Sequence, residues 1–564
     1  MSNKNYNPML LTDFYKIGHP FQYPKGTTLV YSNMTPRKSR IKTINKIVFF
    51  GLQYFIKEYL MDYFQTMFFD RNKQEVIDEY KRIIQNTLGG IQSYQHIEKL
   101  HDLGYLPIEI KALPEGSLVD MRIPFLTIKN TLPEFYWLTN FFETLLSTTL
   151  WQGITSATIS HEYKKILTHY AKETGFPQEL VQFQAHDFSF RGMSSLESGV
   201  ISGMGHLLSF VGTDTITAIL GAEKYYNANV DKELVGCSVP ATEHATMTGN
   251  IIDLVEQLDN RKHNKKAETL FEEYVSKDKD SNKEVSNMQI AEYATFKRLI
   301  TKVYPSGIVS IVSDSFNIWD VLTSYLPKLK NEVVARNGKV VVRPDSGDPV
   351  KIICGWSENY DECEYNEDDK QWHKGYHNDD GDFFDEGILS IEEKKGVVEL
   401  LWDAFQGTMT DKGYKLLDSH VGVIYGDSIT TERANMICER LKRKGFASQC
   451  VFGVGSYTFQ YNTRDTFGIA QKATYIEVNN EGETLCRNIY KKPITDDGTK
   501  NSACGLLQVK KVMGKYVNEP EGHYILNEQV SWEEEKDSEL KTVYKDGKLI
   551  KDYTFEEVRK NLNC

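Results

Sequence analysis

Val340-Val341-Val342-Arg343-Pro344-Asp345-Ser346-Gly347-Asp348-Pro349 is an apolar strand that ends abruptly in an arginine, an aspartate and a glycine turn. Strand residues of this kind are buried, while Arg343 and Asp345 emerge at the carboxyl end, where α/β sheets and α/β barrels place their ligands. A guanidinium fork matches phosphate oxygens. A carboxylate beside it can accept ribose hydroxyls or hold a magnesium ion. Taken alone, the motif reads equally as a structural ion pair closing a strand.

The pattern recurs along the chain. Ile308 to Val312 ends in Ser313-Asp314-Ser315, and Val421 to Ile424 ends in Gly426-Asp427-Ser428. Cys450 to Phe452 runs into Gly453-Val454-Gly455-Ser456, a small-residue turn whose backbone N–H groups suit a phosphate. Upstream, Val181 to Phe183 reads as a further strand leading through His186-Asp187-Phe188 to Arg191-Gly192. Together these strand ends describe a barrel mouth built for an anionic, hydroxylated ligand.

At 564 residues the chain has room for two domains. Its 40% hydrophobic and 26% charged content is that of an ordinary globular protein. A net charge of −12 argues against nucleic-acid binding, so a phosphate must be caught by a local basic pocket. Met1 to Asn7 is polar, and no window is apolar enough for a signal peptide or a membrane span, which leads us to expect a cytoplasmic protein with no membrane partner. Cys237, Cys354, Cys363, Cys438, Cys450, Cys486, Cys504 and Cys564 show no Cys-x-x-Cys pair and read as reduced packing residues.

Residues 1–145 mix short strands with amphipathic helices, Ile47 to Tyr63 having helical spacing and Leu106 to Ile128 alternating as a strand pair around Pro114-Glu115-Gly116. Over 146–454 helical segments alternate with the apolar strands, the pattern of a βα barrel or a parallel sheet. Residues 455–564 return to hairpins, with turns at Asn479-Asn480-Glu481-Gly482 and Lys545-Asp546-Gly547. The simplest architecture is an α/β barrel inserted between two parts of one α+β sheet domain. Two charged insertions interrupt it, at about 259–286 and 356–410. The acidic cluster around Asn378-Asp379-Asp380-Gly381-Asp382 lacks the spacing of a calcium loop and reads as solvated.

At this point the chain resembles the nicotinamide phosphoribosyltransferases. The resemblance rests on Thr12-Asp13-Phe14-Tyr15-Lys16, Leu106 to Lys111, Tyr136 to Asn140, His186 to Gly192, Gly212 to Thr215 and Ser238 to His244. It continues through Val312 to Ser315, Arg343 to Pro349, Gly426-Asp427, Thr463-Arg464-Asp465 and Tyr490-Lys491. It implies a type II phosphoribosyltransferase fold, an irregular α/β barrel inserted into an α+β sheet domain. It also implies a homodimer with shared active sites that makes nicotinamide mononucleotide from nicotinamide and 5-phosphoribosyl 1-pyrophosphate in NAD salvage. Magnesium is the implied cofactor and ATP a stimulatory co-substrate.

The resemblance also assigns roles. His244 is the histidine that ATP phosphorylates. Phe188 and the partner's equivalent of Tyr15 stack on nicotinamide, and Asp214 accepts the carboxamide N–H. Asp345 and Asp427 bind ribose hydroxyls, while Gly426, Gly455 and Ser456 serve the 5′-phosphate. Arg191, Arg343 and Asp314 serve the pyrophosphate, with Asp314 and Asp345 as magnesium ligands. Arg37, Arg464 and Lys472 reach in from the other subunit, Lys491 lies near the nucleotide, and Ser310 joins the substrate-binding set. The departures are Ser456 for a glycine, Ala470 for a serine, and Gly422 where vertebrate members have an arginine lining the ligand tunnel. The rival readings are a nicotinate phosphoribosyltransferase, which Asp214 opposes by charge, and a catalytically silent nucleotide-binding homologue.

Overall fold

The computed structural model describes residues 6–89, 93–277, 285–357, 361–378, 380–513 and 522–563. Residues 1–5, Asp379 and Cys564, and parts of both charged insertions, lie outside them.

Both ends of the chain build one antiparallel sheet. Its order is Glu483–Asn488, Ala470–Asn480, Thr27–Thr35, Leu126–Asn130, Ile108–Ala112, Lys541–Lys545 and Lys548–Leu549. Both predicted hairpin turns are present, with Glu481, Gly482, Asp546 and Gly547 all at positive φ. On one face Ile108, Ile110, Leu126 and Ile128 enter a core with the helices of residues 52–154. The other face carries Glu109, Lys111, Thr127 and Lys129.

Between the two halves of that sheet lies a six-stranded, wholly parallel sheet. Its order is Gly212–Thr213, Ala185–Asp187, Val451–Val454, Val421–Tyr425, Gly338–Arg343 and Gly307–Val312. Val309, Ile311, Val340, Val342, Val423 and Phe452 are buried against flanking helices, as parallel strands require. The two edge strands are joined by one extended segment. Cys237 bridges in parallel to Gly212, and Ala241 bridges in parallel to Ser310, so residues 237–242 close the barrel. Thr213 N donates to Cys237 O at 2.9 Å and Ser310 N donates to Pro240 O at 2.9 Å. Residues 159–459 contribute the barrel core, separate from the core under the antiparallel sheet.

Several local expectations need correction. Ile47 and Val48 belong to the strand Lys46–Val48, and the helix starts only at Leu52, because Gly51 at φ 100° turns the chain between them. Gln178–Phe183 is a 3-10 helix, with the strand following at Ala185–Asp187. Part of the acidic insertion is ordered as a three-stranded antiparallel sheet, Cys363–Asn366, Gln371–His377 and Phe383–Ile388. Helix Ile391–Phe405 packs Val397, Val398 and Leu401 into the barrel core.

The turn at Pro114-Glu115-Gly116 ties three regions together. Gly116 has φ 91°, and a Cβ there would stand 2.2 Å from Val558 O of the C-terminal helix. Glu115 is buried and accepts from Gln53 N at 2.6 Å, Gly51 N at 2.7 Å and Tyr226 Oη at 2.8 Å. Burial pushes its carboxyl up to about 7, against the pull of these donors. The folded state therefore holds a proton that the unfolded chain has released between pH 4.5 and about 7, so stability should fall as pH rises through that window. Glu115→Gln should flatten this dependence while lowering stability by about 1–3 kcal/mol, since its amide cannot accept all three bonds. Thermal midpoints of both proteins across that pH range would check it; a parallel pair of curves refutes the assignment.

Candidate active site

All parallel strands point their carboxyl ends at one mouth, and the polar residues there are held by short-range geometry. Asp314 follows the strand Gly307–Val312, and its Oδ2 accepts from Asp345 N at 2.8 Å, Ser346 N at 2.8 Å and Ser346 Oγ at 2.6 Å. One carboxylate thereby fixes the turn that presents Asp345. Its other oxygen, Oδ1, is buried and has no hydrogen-bond partner. That oxygen lies 3.8 Å from His244 Nε2, and Asp345 Oδ2 lies 3.9 Å from the same nitrogen. His244 opens the helix His244–Asp259 directly after the barrel-closing segment, is half exposed, and has Nδ1 3.1 Å from Ser315 Oγ.

Arg343 ends the strand Gly338–Arg343 and donates to Thr242 O, while its Nε is buried without a partner. Burial lowers its pKa, opposed by Asp345, Asp214 and Asp314, with Arg191 adding to the lowering. Gly426 is a close approach: a Cβ there would meet Asp345 Oδ1 at 2.5 Å. Beside it, Asp427 accepts from Ser428 Oγ at 2.7 Å. Gly455 opens into free space, and Ser456 packs so tightly on Gly192 that a Cβ on the glycine would stand 2.0 Å from Ser456 Oγ.

A cavity of about 720 Å³ runs inward from this mouth, within the range of small-molecule sites. Phe188, Asp214, Ser310 and Arg343 line it. Phe188 packs on Gly453, where a Cβ would meet its ring at 2.6 Å. Asp214 Oδ1 accepts from Ser238 Oγ at 2.6 Å and from His186 Nε2 at 2.8 Å. Burial raises the Asp214 pKa, but these hydrogen bonds outweigh it and hold the carboxyl below its usual range. Ser310 is buried, and its hydroxyl has no partner. Lys339 and Val341, on the same strand face as Arg343, also line the cavity, and a Cβ on Gly422 would come 3.1 Å from Lys339 Cδ. Sequence reading did not single out His186, Ser238, Ser315, Ser346 or Lys339.

The remaining predicted residues lie on the sheet domain. Tyr15 is 62% exposed, with Lys16 Nζ 4.8 Å from its ring centroid. Lys472 lies on the strand Ala470–Asn480, and burial lowers its pKa, with Arg37, Lys16 and Lys491 adding to the lowering and Glu143 opposing it. Arg37 Nε donates to Gly468 O at 2.8 Å, and the exposed Arg464 pairs with Asp465 at 3.2 Å. The result is a basic, aromatic patch. Among the described residues, none of its side chains hydrogen-bonds or ion-pairs with the barrel mouth.

Residues 183–548 match the model of the nicotinate phosphoribosyltransferase family, and residues 7–110 match the N-terminal domain of nicotinamide phosphoribosyltransferase. The nicotinamide phosphoribosyltransferase of Acinetobacter baylyi is 45% identical over 99% of this chain and 97% of its own length. That of Mycoplasma pneumoniae is 31% identical over 89% of this chain and 96% of its own, and that of Xanthomonas campestris 29% identical over 98% and 97%. With a parallel barrel whose strand ends carry Asp314, Arg343 and Asp345, the chain belongs to the nicotinate phosphoribosyltransferase family and, within it, to the nicotinamide phosphoribosyltransferases.

Proposed function

We propose that the chain transfers the phosphoribosyl group of 5-phosphoribosyl 1-pyrophosphate to the ring nitrogen of nicotinamide, giving nicotinamide mononucleotide and pyrophosphate. The observation that carries the substrate is Asp214, a carboxylate held ionised at the wall of the cavity that Phe188 also lines. A flat neutral ring stacks on Phe188, and its amide N–H finds an acceptor. The C1–pyrophosphate bond breaks as the ring nitrogen bonds to C1, so positive charge builds on the ribose and negative charge on the leaving group. Arg343 and Arg191 would stabilise the latter, and Asp345 and Asp427 would bind ribose hydroxyls; the work is positioning and electrostatics. Incubating purified protein with the phosphoribosyl donor and either nicotinamide or nicotinate, then identifying the product, tests the reading. Nicotinic acid mononucleotide as the main product would replace it with the nicotinate reading.

Magnesium fits the residues present. Among the described residues no cluster of three or more ligating side chains exists. The orphaned Asp314 Oδ1 beside Asp345 instead supplies the one or two carboxylates this ion takes together with substrate phosphates. When bound, it would neutralise pyrophosphate charge.

His244 would carry the ATP-derived phosphoryl group. With Nδ1 held at Ser315, Nε2 is the nitrogen that faces Asp314 and Asp345. His244→Ala should keep basal synthesis and lose ATP stimulation and the acid-labile phosphate. Normal stimulation of this variant would remove His244 from the role. We further propose a homodimer in which the patch of Tyr15, Arg37, Arg464 and Lys472 completes the partner's barrel mouth, with Lys491 beside it. This is supported by a basic, aromatic surface whose anionic counterparts among the described residues are Glu143 and Asp465.

A further inference from the structure

A second cavity, about 420 Å³, opens on the polar face of the seven-stranded sheet and shares no lining residue with the barrel cavity. Strands Ile108–Ala112, Leu126–Asn130 and Lys541–Lys545 form its floor, and the short helix Trp532–Lys536 forms a wall. The charged residues lining it are Lys111, Lys129, Lys536, Lys541, Lys545, Glu109 and Glu535. Five lysines against two glutamates leave a local charge of +3, in a chain whose net charge is −12.

The two carboxylates are already committed. Lys111 Nζ donates to Glu535 Oε2 at 2.7 Å, with both side chains largely buried, and Lys129 Nζ lies 2.9 Å from Glu109 Oε2. Thr542 Oγ1 donates to Glu109 Oε1 at 2.9 Å. Burial raises the Glu109 pKa, but Lys129, Thr542 and the nearby Lys545 outweigh it, so the carboxylate stays charged. Asp537, an acid near Lys541, pairs with Lys510 at 2.7 Å. Lys536, Lys541 and Lys545 have no carboxylate within 4.0 Å among the described residues. The two pairs leave the floor without net charge, and Lys536, Lys541 and Lys545 add three exposed lysines to the lining.

We infer that this cleft binds a phosphate-bearing anion, held by Lys536, Lys541 and Lys545. Ammonium groups are point charges that suit the several oxygens of a phosphate, and gathering like charges in a concave site costs free energy that an anion relieves. A cation is disfavoured, since both carboxylates are spent on Lys111 and Lys129. The volume lies within the range of small-molecule sites. Trp532 adds an aromatic wall: its indole N–H donates to Glu477 Oε1 at 3.2 Å, and Lys129 Nζ stands 5.7 Å from its ring centroid. Inorganic polyphosphate and the phosphate chain of a nucleotide share this chemistry.

Calorimetric titration of the full-length protein with inorganic phosphate, pyrophosphate and ATP, beside the Lys541→Glu/Lys545→Glu double variant, tests the site. Wild type should show two classes of binding site for at least one probe. The double variant should keep the barrel class and its rate of synthesis, and lose affinity in the second class by at least about tenfold, as the loss of charged hydrogen bonds implies. The milder Lys541→Gln/Lys545→Gln pair serves if the first misfolds. ATP binding about tenfold tighter than pyrophosphate, with the advantage lost in Trp532→Ala, would identify a nucleotide; equal affinities would identify the free polyphosphate. A single class in wild type, or a second class that survives both lysine replacements, overturns the inference.

Discussion

Arg343→Ala and Arg464→Ala should each lose activity by on the order of 10²–10³-fold, the usual cost of removing one preorganised donor to developing charge, and mixing the two inactive proteins should restore it. Arg343 is on the barrel, with its Nε buried, unpartnered and surrounded by Asp214, Asp314 and Asp345. Arg464 is on the sheet domain, exposed and, among the described residues, ion-paired with its neighbour Asp465 alone. In a twofold dimer with shared sites, a mixed pair has one mouth lacking both arginines and one with both intact. Random exchange makes half the dimers mixed, so activity should recover to about a quarter of wild type per subunit. Subunit exchange proven by mass spectrometry, with activity still absent, would place each site within one chain.

Asp214→Asn or Asp214→Ser should lower kcat/KM for nicotinamide and raise the relative use of nicotinate. In wild type the carboxylate of nicotinate would face an Asp214 held ionised by His186 and Ser238. Like charges brought together at an interface cost several kcal/mol, and a polar site can reject a mismatched analogue by about 10⁴-fold. The ratio of kcat/KM values for the two substrates, in wild type and variant, reports this difference in transition-state binding. An unchanged ratio would move the discrimination to other residues of the cavity.

The barrel mouth was legible because its strands end where hydrophobicity stops and charge begins, as at Val342-Arg343 and Val312-Ser313-Asp314. Ala185–Asp187 was not legible as a strand, since its His186 and Asp187 are buried polar groups, while the apolar run just before it coils as a 3-10 helix. In the acidic insertion, carboxylates masked the aromatic residues Tyr365, Trp372, Tyr376 and Phe384 that mark its strands. Lys339 could have been found: it shares a strand face with Val341 and Arg343 by simple alternation. The partners of Asp214 and His244 could not, because His186, Ser238 and Ser315 reach them across 28, 24 and 71 residues of sequence. The sheet-domain patch was legible only through family resemblance, since Tyr15, Arg37 and Lys472 stand on separate elements with no shared pattern.

Strand Thr27–Thr35 finds its Ala470–Asn480 neighbour only after most of the chain has left the ribosome. At about 5–20 residues per second, the nascent N-terminal half waits roughly 20–90 s with one side of that strand unsatisfied, an open template for pairing with another chain. The barrel, whose strands all lie within the intervening stretch, can fold during the wait. Yield in the cell should therefore depend on translation speed and on chaperones that shield this edge, and truncation before residue 470 should produce aggregates rather than a smaller soluble domain.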